Sequence, residues 1–148
     1  MDDFMAANDE ARRRLAALVR QLTDKDLQLE MEAGWTVGAV LAHLAFWDLR
    51  ALTLVRRWEK EGVGPSPVDA DAINDATRTI LRRLPGSEVR TLVLEAATAI
   101  DHALEELPPF RLAEIERDAV QFHLSRARHR TVHVDEIEAR LAYETAQA

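Results

Sequence analysis

The chain is expected to fold as an all-α domain of antiparallel helical neighbours. Two observations predict this: long stretches whose apolar residues recur at three and four positions, and short breaks, mostly rich in Gly or Pro, between them. A third supports it: no stretch shows the strict alternation of a half-buried strand, and there is no internal repeat or low-complexity tract. The 148 residues fit one domain, 1–148, able to bury a core without covalent staples.

The first helix is predicted from about Asp3 to Leu22. Phe4, Ala11, Leu15, Leu18 and Leu22 carry its apolar face, and the acidic residues at its start complement the helix dipole. Residues 23–33 form a connection with room for one turn at Asp24–Leu27. The second helix starts at Thr36, whose side chain suits an N-cap, and ends at Gly62. Along it Val37, Val40, Leu41, Leu44, Ala51 and Val55 make one apolar stripe, with His43 at the edge and Phe46 and Trp47 one turn on. Gly62-Val-Gly-Pro-Ser-Pro-Val68 can neither continue a helix nor sit in a central strand. A third helix follows from near Asp69 and stops at Pro85-Gly86. Ser87 is the expected N-cap of a fourth, ended by Pro108-Pro109. The last helical segment, about Leu112 to Tyr143, contains no Gly or Pro. Its polar middle, Arg126-Ala-Arg-His-Arg130, leaves open a solvated bulge, a bend or the wall of a site.

Composition removes several function classes. A net charge of −7 argues against nucleic-acid binding, which needs a concentrated basic surface. Without cysteine there is neither a disulfide nor a protein thiolate, which suits a reducing compartment. The N-terminus has no basic and apolar signal pattern, and no run of about eighteen apolar residues suggests a membrane span. A cytoplasmic protein with no membrane partner is the expectation. There is no Gly-rich phosphate loop, and Ser66, Ser87 and Ser125 sit in no nucleophile context.

The constellation with metal-ligand character is His43 together with His129-Arg-Thr-Val-His133. Two histidines four apart on a helix share a face, with Cβ atoms about 6 Å apart, so both rings can reach one ion. A third from a facing helix would complete a site with open positions. Spacing alone leaves a solvated face open as well, because the neighbours are arginines.

The stretch Gly34-Trp-Thr-Val-Gly-Ala-Val-Leu-Ala-His-Leu-Ala-Phe-Trp-Asp48 resembles the second-helix signature of the DinB/YfiT-like superfamily, in which a tryptophan precedes Val-x-x-Val-Leu-x-His-Leu. The chain is similar to the N-terminal domain of mycothiol-dependent maleylpyruvate isomerase over essentially its whole length. The resemblance implies an up-down four-helix bundle with a divalent metal held by three histidines. By position these match His43, His129 and His133. Imidazole suits zinc, nickel or iron without choosing among them.

Other residues extend that expectation. Asp48 is a candidate catalytic or ligand-orienting carboxylate, with an ordinary helical ion pair as the competing reading. Arg126 and Arg130 flank His129, and Arg130 is a candidate for holding an anionic group of a small-molecule substrate; a solvated arginine face competes. His102 and His123 fall outside the pattern, and Trp35, Trp47 and Trp58 read as core or dimer contacts. The resemblance implies a thiol-dependent transferase or isomerase, or a hydrolase, with a low-molecular-weight thiol as possible cosubstrate, acting as a homodimer. The competing function is a non-enzymatic metal-binding or stress-related interaction protein.

Overall fold

A computed structural model describes residues 2–148, and among these it is all-helical. Seven α-helices run in order: α1 (Asp2–Gln21), α2 (Asp24–Leu27), α3 (Val37–Glu61), α4 (Ala70–Leu81), α5 (Gly86–Glu106), α6 (Pro109–Asp118) and α7 (Ala127–Gln147). A short 3₁₀ turn, Glu32–Gly34, precedes α3. The only β feature among the described residues is a single antiparallel bridge, Glu30 with Thr36, which clamps that turn.

Local chemistry explains most boundaries. The Thr36 hydroxyl accepts from the Ala39 N–H at 3.1 Å and caps α3. Gly62 ends the helix at φ +81°, a conformation that side chains with a Cβ rarely adopt. Thr23 and Asp26 form a reciprocal capping box on α2. Asp69 caps α4 through the Ala72 N–H. Ser87 does not cap α5; that helix begins one residue earlier, with Pro85 at the N-cap position and no side-chain cap.

The expected final helix is divided. α6 begins at Pro109, where a missing N–H costs nothing, and ends at Asp118; residues 119–126 are irregular before α7 begins. The reason is tertiary. Asn8 on α1 accepts the Arg126 and Ala127 N–H groups on its side-chain oxygen, at 2.7 and 3.0 Å, and donates to the Leu124 carbonyl at 3.1 Å. A side chain more than a hundred residues away thus caps α7, and no local pattern announces it.

The four long helices close a ring in which α1 packs on α5 and α7, and α3 packs on the same two. Contacts fix their directions. Asn8 meets Ala127 and Arg14 meets Asp135 and Glu138, so α1 and α7 run parallel. Gly38 and Gly86, at the starts of α3 and α5, both lie against Leu27, and further along Asp48 and Asp101 meet the same arginine. Those two helices are therefore parallel as well. The expectation of antiparallel neighbours throughout is corrected: the order is up, down, down, up. The return is made by the 62–85 connection. With α4 covering about 18 Å and the extended residues before it reaching up to about 26 Å, it can retrace α3, which is roughly 37 Å long.

The core lies in two apolar clusters. One gathers Leu15, Leu18, Val37, Leu41, Val89, Val93 and Ile137; the other holds Val55, Trp58, Ile100, Leu104, Leu112 and Ile115. Trp58 is buried edge-on against Phe122 at 5.1 Å between centroids, a core residue rather than an exposed contact. α3 is the one described helix long and apolar enough to cross a membrane, and 67% of its most apolar window is buried inside the protein. Replacing Asn8 by Ala should cost about 1–2 kcal/mol through loss of the α7 cap. Urea unfolding measures it, and an unchanged midpoint would show that α7 starts without help.

Candidate metal centre

α3 presents His43 and α7 presents His129 and His133. The Trp35 turn fixes one side of the site: its indole meets the His43 ring edge-on at 5.3 Å. On α7, His129 and His133 form one stripe, and Arg130, Val134 and Ile137 form the neighbouring, fully buried stripe. Packing that buried stripe into the core aims both imidazoles at α3. The three ring centroids stand 4.8–5.0 Å apart in pairs.

The Nε2 atoms of His43 and His129 are 3.0 Å apart, and one nitrogen from each of the three rings lies within 4.8 Å of the others. Two imidazole nitrogens each bound at about 2.1 Å in a tetrahedral site would be separated by about 3.4 Å, so the close His43–His129 pair is near chelating distance, and a small inward shift of the third ring would complete a three-nitrogen set for a divalent ion. His43 is buried; it turns Nε2 toward the other rings, and its Nδ1 has no hydrogen-bond partner. His133 Nδ1 pairs with Glu136 Oε2 at 2.8 Å, which orients the ring and leaves its other nitrogen for the cluster. Glu136 was missed in the sequence; its signal is the spacing of three after His133.

The carboxylate expected to orient a ligand does something else. Asp48 is buried and accepts from Arg126 Nε at 3.0 Å and from an Arg130 terminal nitrogen at 3.1 Å. Arg130 is fully buried. Its terminal nitrogens donate in bidentate fashion to Asp101 at 2.8 and 2.9 Å, and to the Asn8 and Ala97 carbonyls. Burial opposes its charge, but the Asp101 hydrogen bonds and the nearby Asp48 charge more than offset it, and its pKa lies above the ordinary value. The expectation that Arg130 meets substrate is therefore corrected: its donors are committed to the interior. Neither Arg130 nor Asp48 lines the cavity into which the imidazoles open. Asn8 and Asp101, the remaining members of this network, carried no sequence signal because their partners are distant in the chain.

The imidazoles open into a cavity of about 1260 Å³, walled by Trp47, Arg50, Asn74, Phe122, Arg126 and Val132 among others. A second opening, of about 760 Å³, reaches His43 and His133 from the side of Trp35 and Arg140. His123 stands exposed on the rim of the larger cavity, while His102 lies elsewhere, beside Glu106 on the surface. Trp47 is anchored by its indole N–H to Asn74 at 2.9 Å, which ties α4 over the site. Such an arrangement offers a small molecule a cluster of nitrogen donors at the base of a roomy, mixed-polarity opening.

Among known proteins, the family model for the mycothiol maleylpyruvate isomerase N-terminal domain matches residues 9–139. No curated protein and no solved structure matches the chain.

Burial is the main reason that His43 and His129 stay neutral. It lowers the His43 pKa to about 4, with the neighbouring His133 adding to the effect. Burial, then His133 and His43, lower that of His129 to about 3. In the unfolded chain both titrate near the ordinary value of about 6.5. Between that pH and about 4 the unfolded state binds protons that the folded state refuses. Stability of the metal-free protein, undiminished above 6.5, should fall across that window as pH drops. Urea midpoints at pH 7.5, 6.0 and 4.5 measure this, and a His43→Gln/His129→Gln variant should show a shallower slope. Equal slopes would mean that these rings are not the groups responsible.

Proposed function

The chain belongs to the mycothiol maleylpyruvate isomerase N-terminal domain family, and we propose on that footing that it is a divalent-metal-dependent enzyme acting on a small molecule with a low-molecular-weight thiol. The observation that carries this reading is the convergence of His43, His129 and His133 within 4.8 Å at the base of an open cavity. Their three imidazoles would hold the ion, and zinc, nickel or iron suits such a set. A divalent ion held this way supplies Lewis acidity that lowers the pKa of a bound thiol or water near neutral pH.

The remaining residues bind and position. Glu136 holds the His133 ring; Trp35 and Trp47 wall the His43 side and limit water. Asp48 and Arg130, expected in the reaction itself, serve in this reading as positioning residues that set the register of α7. The fold that goes with it is a DinB/YfiT-like four-helix bundle in up-down-down-up order.

A second reading is a non-enzymatic metal-binding protein of the same family. It is favoured by one observation: the carboxylate best placed in the sequence to act as a base, Asp48, is engaged by two guanidinium groups. The two readings part on whether a thiol changes the visible spectrum of the cobalt-substituted protein. A change favours the enzyme, and none with any thiol tested favours the alternative.

Metal analysis of protein purified without nickel affinity should find near-stoichiometric metal in the wild type and almost none in His129→Ala. Glu136→Gln should bind metal about 10–100-fold more weakly. Equal metal in all three proteins would refute the site. A homodimer in the reducing cytoplasm completes the proposal, although Trp58, now a core residue, no longer supports association. Light scattering near twice the 16.7 kDa chain mass would support the dimer, and a value at the chain mass would reject it.

A further inference from the structure

Arginines that are not fully exposed almost all have a carboxylate here. Among the described residues Arg12, Arg14, Arg78, Arg90, Arg111, Arg126, Arg130 and Arg140 each lie within salt-bridge distance of an Asp or Glu. Arg50 is the exception. It is partly buried, it lines the large cavity, and no carboxylate is paired with it.

What does hold Arg50 is neutral. One terminal nitrogen donates to the Ser66 hydroxyl at 2.7 Å and to the Ser66 carbonyl at 3.1 Å, both in the Gly/Pro-rich connection. Its guanidinium lies over the Trp47 ring, 5.7 Å from the centroid. These contacts fix the group without neutralising it, and its other N–H donors have no protein partner among the described residues. Burial, and then the nearby Arg126 charge, lower its pKa from the ordinary value, as expected of a cation lacking a counter-charge. A partly desolvated guanidinium normally requires one.

Placement relates it to the histidines. His43, Trp47 and Arg50 fall at i, i+4 and i+7 on α3, so they share one face, and Arg50 is about 10 Å along the axis from His43. A small molecule spanning these two points would put one end at the imidazoles and an anionic end at Arg50. The cavity wall between them carries Trp47 from the same helix.

We propose that Arg50 is the specificity-determining residue of this cavity, pairing with the carboxylate of a small organic acid whose other end lies at the three histidines. This rests on the reading of the cavity as a substrate site. It moves anion recognition from Arg130, whose donors are consumed inside, to a guanidinium held open by Ser66 and Trp47. A guanidinium fork pairs with carboxylate and phosphate alike, so the choice between them is made by the charge of the surrounding rim, which favours the singly charged carboxylate. Asp69 and Asp71 also line the rim, and they disfavour a ligand with several negative charges at that side.

The test is titration of maleate, and separately of inorganic phosphate, into metal-loaded and metal-free protein, followed by calorimetry and by Trp fluorescence. Wild type should bind maleate. Arg50→Gln should weaken binding at least tenfold with unchanged metal content, Arg50→Lys should retain part of it, and Arg56→Gln, an exposed change on the same helix, should have no effect. No maleate binding by the wild type, or equal binding by Arg50→Gln, overturns the proposal. Phosphate binding that depends on Arg50 while maleate does not bind overturns the carboxylate assignment. Maleate binding that needs Arg50 in a protein that takes up no metal would uphold this inference and defeat the metal reading, so the two fail separately.

Discussion

One guanidinium joins all four long helices. Arg130, on α7, donates to the Asn8 carbonyl on α1, to Asp48 on α3, and to Asp101 and the Ala97 carbonyl on α5. A fully buried arginine is costly to desolvate, and such a group is tolerated where its donors find well-placed acceptors. Only its Nε lacks one. Removing one partner of a buried pair typically costs about 3–5 kcal/mol, because the other charge is left stranded. A well-packed apolar replacement of the whole set is often neutral, so the network is better understood as a specifier of arrangement than as a source of stability.

Its position in the core shows what it specifies. The apolar clusters lie on either side: Leu41, Val93 and Ile137 toward the start of α3, and Val55, Ile100 and Ile115 toward its end. Apolar packing tolerates sliding of one helix against another, whereas bidentate hydrogen bonds do not. A one-residue slip of α7 would strand Arg130 against carbon and rotate its neighbours by about 100°. Because His129 precedes Arg130 directly and His133 follows three later, the lock that places the arginine also places the imidazoles against His43. Asn8 adds a second constraint by fixing where α7 starts.

Charge is distributed unevenly around the site as a result. The buried acids Asp48 and Asp101 are spent on Arg126 and Arg130, below the histidines. The wall of the cavity keeps Arg50 without an acid, and the imidazoles of His43 and His129, desolvated and crowded, stay uncharged. Neutral nitrogen donors are what a divalent cation requires, and protonated rings would repel it. The interior thus resolves two needs with different residues: paired charges fix the frame, and unpaired or neutral groups face the opening.

The helical class, most helix boundaries and the identity of the three converging histidines are legible in the chain. Those properties follow from local rules: apolar recurrence along α3 and α5, the Thr36 and Asp69 caps, the Gly/Pro breaks, and the spacing of four between His129 and His133. Tertiary structure alone decided the rest. The parallel pairing of α3 with α5 depends on how far the 62–85 connection travels, which its composition does not state. The break at 119–126 depends on Asn8, more than a hundred residues away. The roles of Asp48 and Arg130 turned on burial: the same residue types on an exposed face could meet substrate, but in the interior their hydrogen bonds are taken by each other and by Asp101. Arg50 gave no signal in the chain either, since what distinguishes it is the absence of a carboxylate in three dimensions. Periodicity and capping act between neighbours, whereas the pairing of buried charges is settled only when distant segments meet.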